Sequence, residues 1–226
     1  MFSISFCITC WNKDLHYLNH LLDDVKKQSM QPDEIIVVGN NIQEFPKLDE
    51  KIKSCFIKDR KPVSWSRNKC AQLSTKDIVI FFDVDDILHS QKIEITKKAF
   101  EQTDADCFVH GFEENVNANS YEEQTYDNPE FNRIVELIAP HGYLKIPKGN
   151  NKDIHHGHLA AKRSVILENP YNEFLGFYEL GFQYWGEDTE ICKRLFNLNY
   201  QFYYTPCKLI LYRPSYQDTT RNWYKP

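Results

Sequence analysis

The chain has 226 residues, of which 42% are hydrophobic and 14% aromatic, and a formal net charge of −5. That is enough apolar matter for one sizeable core, and the lack of any Lys/Arg-rich run excludes a protein that grips nucleic acid through a broad basic surface. No run approaches the ~18 apolar residues of a membrane span, and MFSISFCITCWNKD has no basic stretch ahead of its apolar residues, so neither a transmembrane segment nor a signal peptide is expected.

In chain order, residues 2–10 (FSISFCITC) predict a buried strand. Cys7 and Cys10 within it form a CxxC, but the seven cysteines are scattered and offer no second pair at zinc spacing. They read as reduced core thiols of a cytoplasmic protein. Asn12 or Asp14 is placed to cap the helix that follows, which carries Leu15, Leu18, Leu22 and Val25 on one face. Pro32 closes that unit, and 33–39 (DEIIVVG) predicts a second strand. A shorter strand at 53–57 leads to a helix over 64–74. Strand 77–82, an amphipathic helix over 91–102 and strand 105–112 come next. Strand alternating with helix predicts an α/β fold, a single Rossmann-like domain whose mostly parallel central sheet is flanked by helices.

After residue 112 the pattern changes. Residues 114–130 are polar and aperiodic and predict a flexible loop that orders over bound ligand. A helix near 131–138, a His-rich turn at 155–158 (HHGH) and a short helix over 162–169 follow. The segment 186–199 (GEDTEICKRLFNLN) predicts a strong helix, with acids in its first turn and Asn199 suited to a left-handed residue at its end. QFYYTP and KLILYRP read as two strand-like pieces.

Three clusters carry chemistry. The strand VIFF runs into Asp83, Asp85 and Asp86, and in parallel sheets ligands bind beyond such strand ends. Carboxylates this close repel unless something compensates them, and Asp83 with Asp85 suits one Mg²⁺ or Mn²⁺, leaving coordination sites for phosphate oxygens. In WGEDTE, the acids Glu187, Asp188 and Glu190 favour the positive end of the helix they open. Trp185 beside them is also a platform for a sugar ring whose hydroxyl meets a carboxylate. His155, His156 and His158 form either a polar turn or metal ligands that lack an acidic or Cys partner nearby in sequence.

Together these stretches resemble the inverting nucleotide-sugar glycosyltransferases of family 2, which have the GT-A fold. The likeness rests on TCWN (9–12), PDEIIVVGNN (32–41), SWSRNKCAQLSTKDIVIFFDVDD (64–86) and GEDTEICKRLFNLNYQFYYTP (186–206). FLGFYELGFQYWGEDTE is also similar to the galactosyltransferases that carry WGGED before the same helix. The resemblance implies one domain over 1–226, with 1–112 binding the nucleotide and 113–226 the acceptor. It implies that Asp83 contacts the ribose and Asp85 the bridging metal, Mn²⁺ or Mg²⁺. Asp188 would be the general base, and Glu187, Trp185 and His158 would meet substrate. Arg67 would lie near the nucleotide, Thr9 and Trp11 would line the base pocket, and Asn40 would stand near the family's base-reading Asp. The implied donor is a nucleotide sugar, a UDP-sugar first, and the acceptor a glycan or other hydroxyl.

Two departures stand out. Gly39-Asn40-Asn41 replaces an acidic turn, and LILYRPS brings Tyr212 and Arg213 where many relatives have a metal-binding His. Two rival readings are a nucleotidyltransferase, which would want a Gly-rich loop where TCWNKD has none, and a non-catalytic sugar-nucleotide or carbohydrate-binding module.

Overall fold

The structure is a computed structural model that describes residues 1–114, 143–145, 158–177 and 186–212. Its sheet contains β1 (Ile4–Trp11), β2 (Glu34–Asn40), β3 (Lys53–Phe56), β4 (Ile78–Asp83) and β5 (Ile87–Leu88). It continues with β6 (Cys107–Glu114), β7 (Leu144–Lys145), β8 (Ala160–Lys162) and β9 (Phe202–Tyr212). The order is β3-β2-β1-β4-β8-β6-β9-β5, with β7 also on β9.

The first four strands are parallel, as the βα alternation predicts. The second half departs from that expectation. β8 runs antiparallel between β4 and β6, β9 is parallel to β6, and β5 and β7 lie antiparallel on β9. The sheet is therefore mixed: antiparallel neighbours such as β8 between β4 and β6 need no crossover helix, unlike the parallel strands of the first half.

Alternation along β1 explains the two layers. Ile4, Phe6, Ile8 and Cys10 point to one face, where α1 (Leu18–Lys26) and α3 (Lys92–Gln102) cover them with Leu21, Val25, Ile93 and Phe100. The Phe6 and Phe82 rings meet there at 5.4 Å. Cys7 points to the opposite face, under α2 (Val63–Leu73), α4 (Arg163–Glu168) and α5 (Glu187–Asn197). Three residues apart on a strand, Cys7 and Cys10 thus sit on opposite faces and cannot share one metal. None of the seven cysteines is in a disulfide.

Several local expectations change. Neither Asn12 nor Asp14 caps α1: residues 12–17 form a 3₁₀ turn, and the Asn12 Oδ1 accepts the Gln43 N–H at 3.3 Å. The two strand-like pieces around Pro206 are one strand, β9. Pro206 is tolerated because the β6–β9 register shifts at His110/Gly111, and a Cβ on Gly111 would lie 2.7 Å from the Pro206 carbonyl oxygen. Asn199 does take the left-handed conformation, at φ 68°. It ends α5 with Tyr200 N–H donating to Leu195 O and Asn199 N–H to Phe196 O. Most of the 114–130 loop, the 131–138 helix, His155, His156, Trp185 and Arg213 lie outside the described residues.

Candidate functional site

Sheet register brings the carboxyl ends of three strands together: Thr9 stands opposite Asp83, and Trp11 opposite Asn40. At this edge the Thr9 hydroxyl donates to Asp83 Oδ1 at 2.7 Å. Arg67, one per cent exposed on α2, reaches both Asp83 oxygens from Nη2 at 3.1 Å. Its Nη1 donates to Glu187 Oε1 at 2.6 Å. One guanidinium thus ties the acidic end of β4 to the first turn of α5. Burial pushes the Asp83 carboxyl up, but Arg67, His158 and Thr9 outweigh it and hold it below the usual value.

The helix that supplies Arg67 is fixed on its other side by the loop ahead of α5. Asn68 Nδ2 donates to Tyr171 O and Glu173 Oε1, its Oδ1 accepts Tyr171 N–H, and the Ser64 hydroxyl donates to Leu175 O. Gly176, at φ 91°, makes this fit possible, since a Cβ there would lie 2.9 Å from Val63 Cγ1. Gly186, at φ 78°, turns the chain into α5, and a Cβ there would meet open space. α5 is braced by Arg194, which bonds Glu190 at 2.6 Å and Pro170 O at 2.7 Å.

The second half of the DVDD turn is paired with a histidine 72 residues away. His158 Nε2 meets Asp86 Oδ2 at 2.6 Å, and both side chains are buried. Ligand atoms of Asp83, Asp86 and His158 all lie within 4.8 Å of one another. Burial pulls the His158 pKa down to about 3, so the imidazole is neutral and able to act as a ligand. Two carboxylates and an imidazole could hold a divalent metal ion. Asp85, the expected ligand, is outside that triplet. Burial pushes its carboxyl well above the usual range, with Asp86, Asp14 and Asp83 adding to the effect, so a cation nearby would favour its charged form. His158 does have an acidic partner, but one that sequence distance concealed.

Behind Asp86 lies a buried amine that sequence reading missed. Lys92, the first residue of α3, contacts His110 Nε2 and lies 5.7 Å over the Phe82 ring. His110 Nδ1 faces Gly111 O at 2.7 Å, which makes Nδ1 the protonated nitrogen and Nε2 the acceptor for Lys92. Burial lowers the Lys92 pKa, and Asp86 opposes that shift.

The remaining expected residues are placed as follows. Trp11 is half-buried, with Lys13 Nζ 5.1 Å over its ring. Asn40 is buried, and both ends of its amide are engaged within the protein, Nδ2 to Ser66 Oγ at 3.0 Å and Oδ1 to Lys61 N–H at 3.2 Å. It serves as a strut between β2 and α2. Glu187 is fully buried against Arg67, whereas Asp188 is only partly covered on the same turn. Asp188 follows Glu187, whose carboxylate is joined through Arg67 to Asp83 at the end of β4.

The sequence pattern of glycosyl transferase family 2 matches residues 5–169, nearly three-quarters of the chain. The chain belongs to that family. No curated protein matches it in sequence. Among solved structures, S. aureus TarS 1-349 in complex with UDP-GlcNAc superposes with a TM-score of 0.71 at 13% identity, over 99% of this chain and 62% of that one. The same protein in complex with UDP gives 0.68 at 14% identity, over 94% and 61%. At such identities the likeness is one of fold, and this family 2 chain spans about three-fifths of those chains. Among the described residues, no helix is long and apolar enough to cross a membrane.

Proposed function

We propose that this family 2 chain transfers a sugar from a nucleoside-diphosphate donor, a UDP-sugar, to a hydroxyl acceptor with inversion at the anomeric carbon. The observation that carries this reading is the Arg67 clamp, which holds the DVDD strand end and the first turn of α5 in one cleft. Solved structures of the same fold carry UDP and UDP-GlcNAc, which favours a uridine donor.

In this reading Thr9 and Trp11 line the base side of the cleft, and Asp83, oriented by Thr9 and Arg67, meets the ribose. Asp83, Asp86 and His158 would hold a divalent ion, and the Asp85 carboxylate between them in sequence would add negative charge to the site. When bound, such an ion would offset the charge that gathers on the departing diphosphate. Asp188 takes the proton of the acceptor hydroxyl as that oxygen attacks, and the α5 N-terminus favours its carboxylate form. A single base on the face opposite the leaving group suffices for inversion. Glu187, committed to Arg67, acts by aligning the helix and does not meet substrate hydroxyls itself. Trp185 remains the candidate platform for a sugar ring.

The test combines binding with turnover. Calorimetry of UDP with and without Mn²⁺, on wild type and Asp86→Asn, should show binding that needs the metal in the first and loses that dependence in the second. Release of UDP from a panel of UDP-glucose, UDP-galactose, UDP-GlcNAc and UDP-GalNAc should fall about 10²–10⁴-fold in Asp188→Asn, with donor affinity retained. A fully active Asp188→Asn protein would remove the base from this scheme, and metal-blind UDP binding would remove the ion.

A further inference from the structure

Asp83, Asp86 and His158 stand on three separately held pieces of chain. Asp83 ends β4 inside the sheet and is gripped by Thr9 and Arg67. His158 lies two residues ahead of β8, where Leu159 O accepts the Phe81 N–H at 3.1 Å and the imidazole meets the Phe82 ring edge-on at 4.6 Å. Asp86 leads into β5, a strand of two residues that, among the described residues, pairs with β9 alone. Two ladder pairs leave so short a strand dependent on what holds its ends. At its start the Asp86 N–H donates to Asp83 O at 3.2 Å, and just past its end the His89 N–H donates to Leu209 O at 3.2 Å.

A side chain from α1's tail closes that far end. Gln28 is 6% exposed; its Nε2 donates to His89 O at 2.8 Å, and its Oε1 accepts the Ile93 N–H at 3.3 Å. The Ile93 N–H is one of the first four of α3, which lack partners inside their own helix, and the Gln91 side chain makes no cap there. One amide therefore spans the corner from β5 into α3. Its neighbour Ser29 ties the same two pieces at the surface, through its hydroxyl to Glu94 at 2.7 Å.

We propose that Gln28 is a positioning residue for the metal centre, fixing the corner from His89 to Ile93 and so setting where β5 holds the Asp86 carboxylate against Asp83 and His158. The inference rests on the reading of those three as ligands of a divalent ion. Ligand atoms must stand within a few tenths of an ångström of their places, so a drift of β5 is felt as lost affinity before it is felt as lost fold. Groups that orient ligands from outside the coordination shell are worth about 10–100-fold in metal affinity.

The test is calorimetry of Mn²⁺, alone and with UDP, on wild type, Gln28→Met, Ser29→Ala and Asp86→Asn, beside melts in EDTA and in Mn²⁺. Met keeps the length of Gln28 and removes both bonds. The expected result is Mn²⁺ affinity about tenfold weaker in Gln28→Met and unchanged in Ser29→Ala. The rise in Tm that Mn²⁺ gives should shrink in Gln28→Met, because that rise follows the affinity. A brace that serves only the fold would lower Tm equally in EDTA and in Mn²⁺ and leave the affinity intact; that result overturns the positioning role and keeps the metal site. Equal weakening in Ser29→Ala overturns it as well, by making any tie between α1 and α3 sufficient. If Gln28→Met does not fold, Gln28→Glu takes its place, since it keeps an acceptor for the Ile93 N–H and loses only the donor to His89 O. Failure of both to fold makes Gln28 scaffold and overturns the role. Wild type blind to Mn²⁺ under both conditions, or Asp86→Asn binding it as well as wild type, overturns the underlying reading and the inference with it.

Discussion

Removing the Arg67 guanidinium should be among the most damaging single changes this fold can suffer. In Arg67→Met the apolar stem is kept, but the Glu187 carboxylate loses its guanidinium partner at zero per cent exposure, while Asp83, whose side chain is 30% exposed, can turn to water. Breaking one end of a buried pair costs about 3–5 kcal/mol, a large part of a typical stability of about 5–15 kcal/mol. At about 2–4 °C per kcal/mol for a chain of this size, Tm should fall by about 6–20 °C. Adding Glu187→Gln removes the buried charge that Arg67 neutralised, so the double variant should regain about 2 kcal/mol, and a double-mutant cycle should show coupling of that order. Urea unfolding at pH 7 reads all four proteins, with slopes expected to agree. The pH dependence follows from Asp83, whose folded pKa lies below its ordinary 3.8. Its share of stability is present above that value and lost as pH falls through the lower, folded one. A single variant within about 1 kcal/mol of wild type, or a cycle without coupling, would refute the clamp as a source of stability.

Glu34 makes a second pH-linked forecast at the opposite end of the sheet. Burial pushes its carboxyl up, but Lys53, the Ser5 hydroxyl at 2.6 Å and Thr75 pull it from 4.5 down to about 2. Glu34→Gln should lose about 1–2 kcal/mol at pH 7, allowing for solvent screening at this edge, and the gap from wild type should close as pH falls from 4.5 towards 2; a gap constant with pH would contradict it. Gly39→Ala would place a Cβ 2.7 Å from Phe56 Cδ1 and 2.9 Å from both Cys10 Sγ and Ile42 Cγ1. Chemical denaturation should find it less stable by about 1–3 kcal/mol, and a neutral result would mean that β2 can shift as a whole.

The succession of strands and helices in the N-terminal half was legible because the apolar β-runs are set off by turn and helix-capping residues, and because VIFFDVDD reads as a strand running into a turn. The register that sets Thr9 beside Asp83 was not legible, because strand length alone does not fix which residues of two parallel strands face each other. Partnerships across long sequence gaps were not legible. Glu187 looked satisfied by the helix it opens, and nothing local reveals that a guanidinium 120 residues earlier claims it. His158 lacked an acid nearby in sequence, and Asp86 read as a surplus carboxylate. Lys92 passed as a polar residue at a helix start, although it is buried against His110. Tyr171 gave no signal, since a Tyr in a loop is usually half-exposed. Pro206 misled more directly, because proline breaks a strand unless a bulge absorbs it, and the bulge depends on Gly111 of another strand.

The long strand β9 has a consequence for how the chain comes together. It is parallel to β6, whose pairing starts 95 residues earlier, at Cys107 with Phe202, and on its other side it takes β7 along its first half and β5 along its second. Among the described residues, β5 and β7 gain a neighbour only after β9 has been synthesised, and β6, paired with β8 on one side, keeps its other edge open until then. A ribosome-bound chain can zip β1 to β4 early, yet it must carry the open edges of β5 and β6 until β9 emerges. Pairings that span so much sequence close slowly. In that interval, exposed strand edges invite association with other chains. This order of events makes the pairing of β9 the step at which a nascent molecule is committed either to its own sheet or to aggregation.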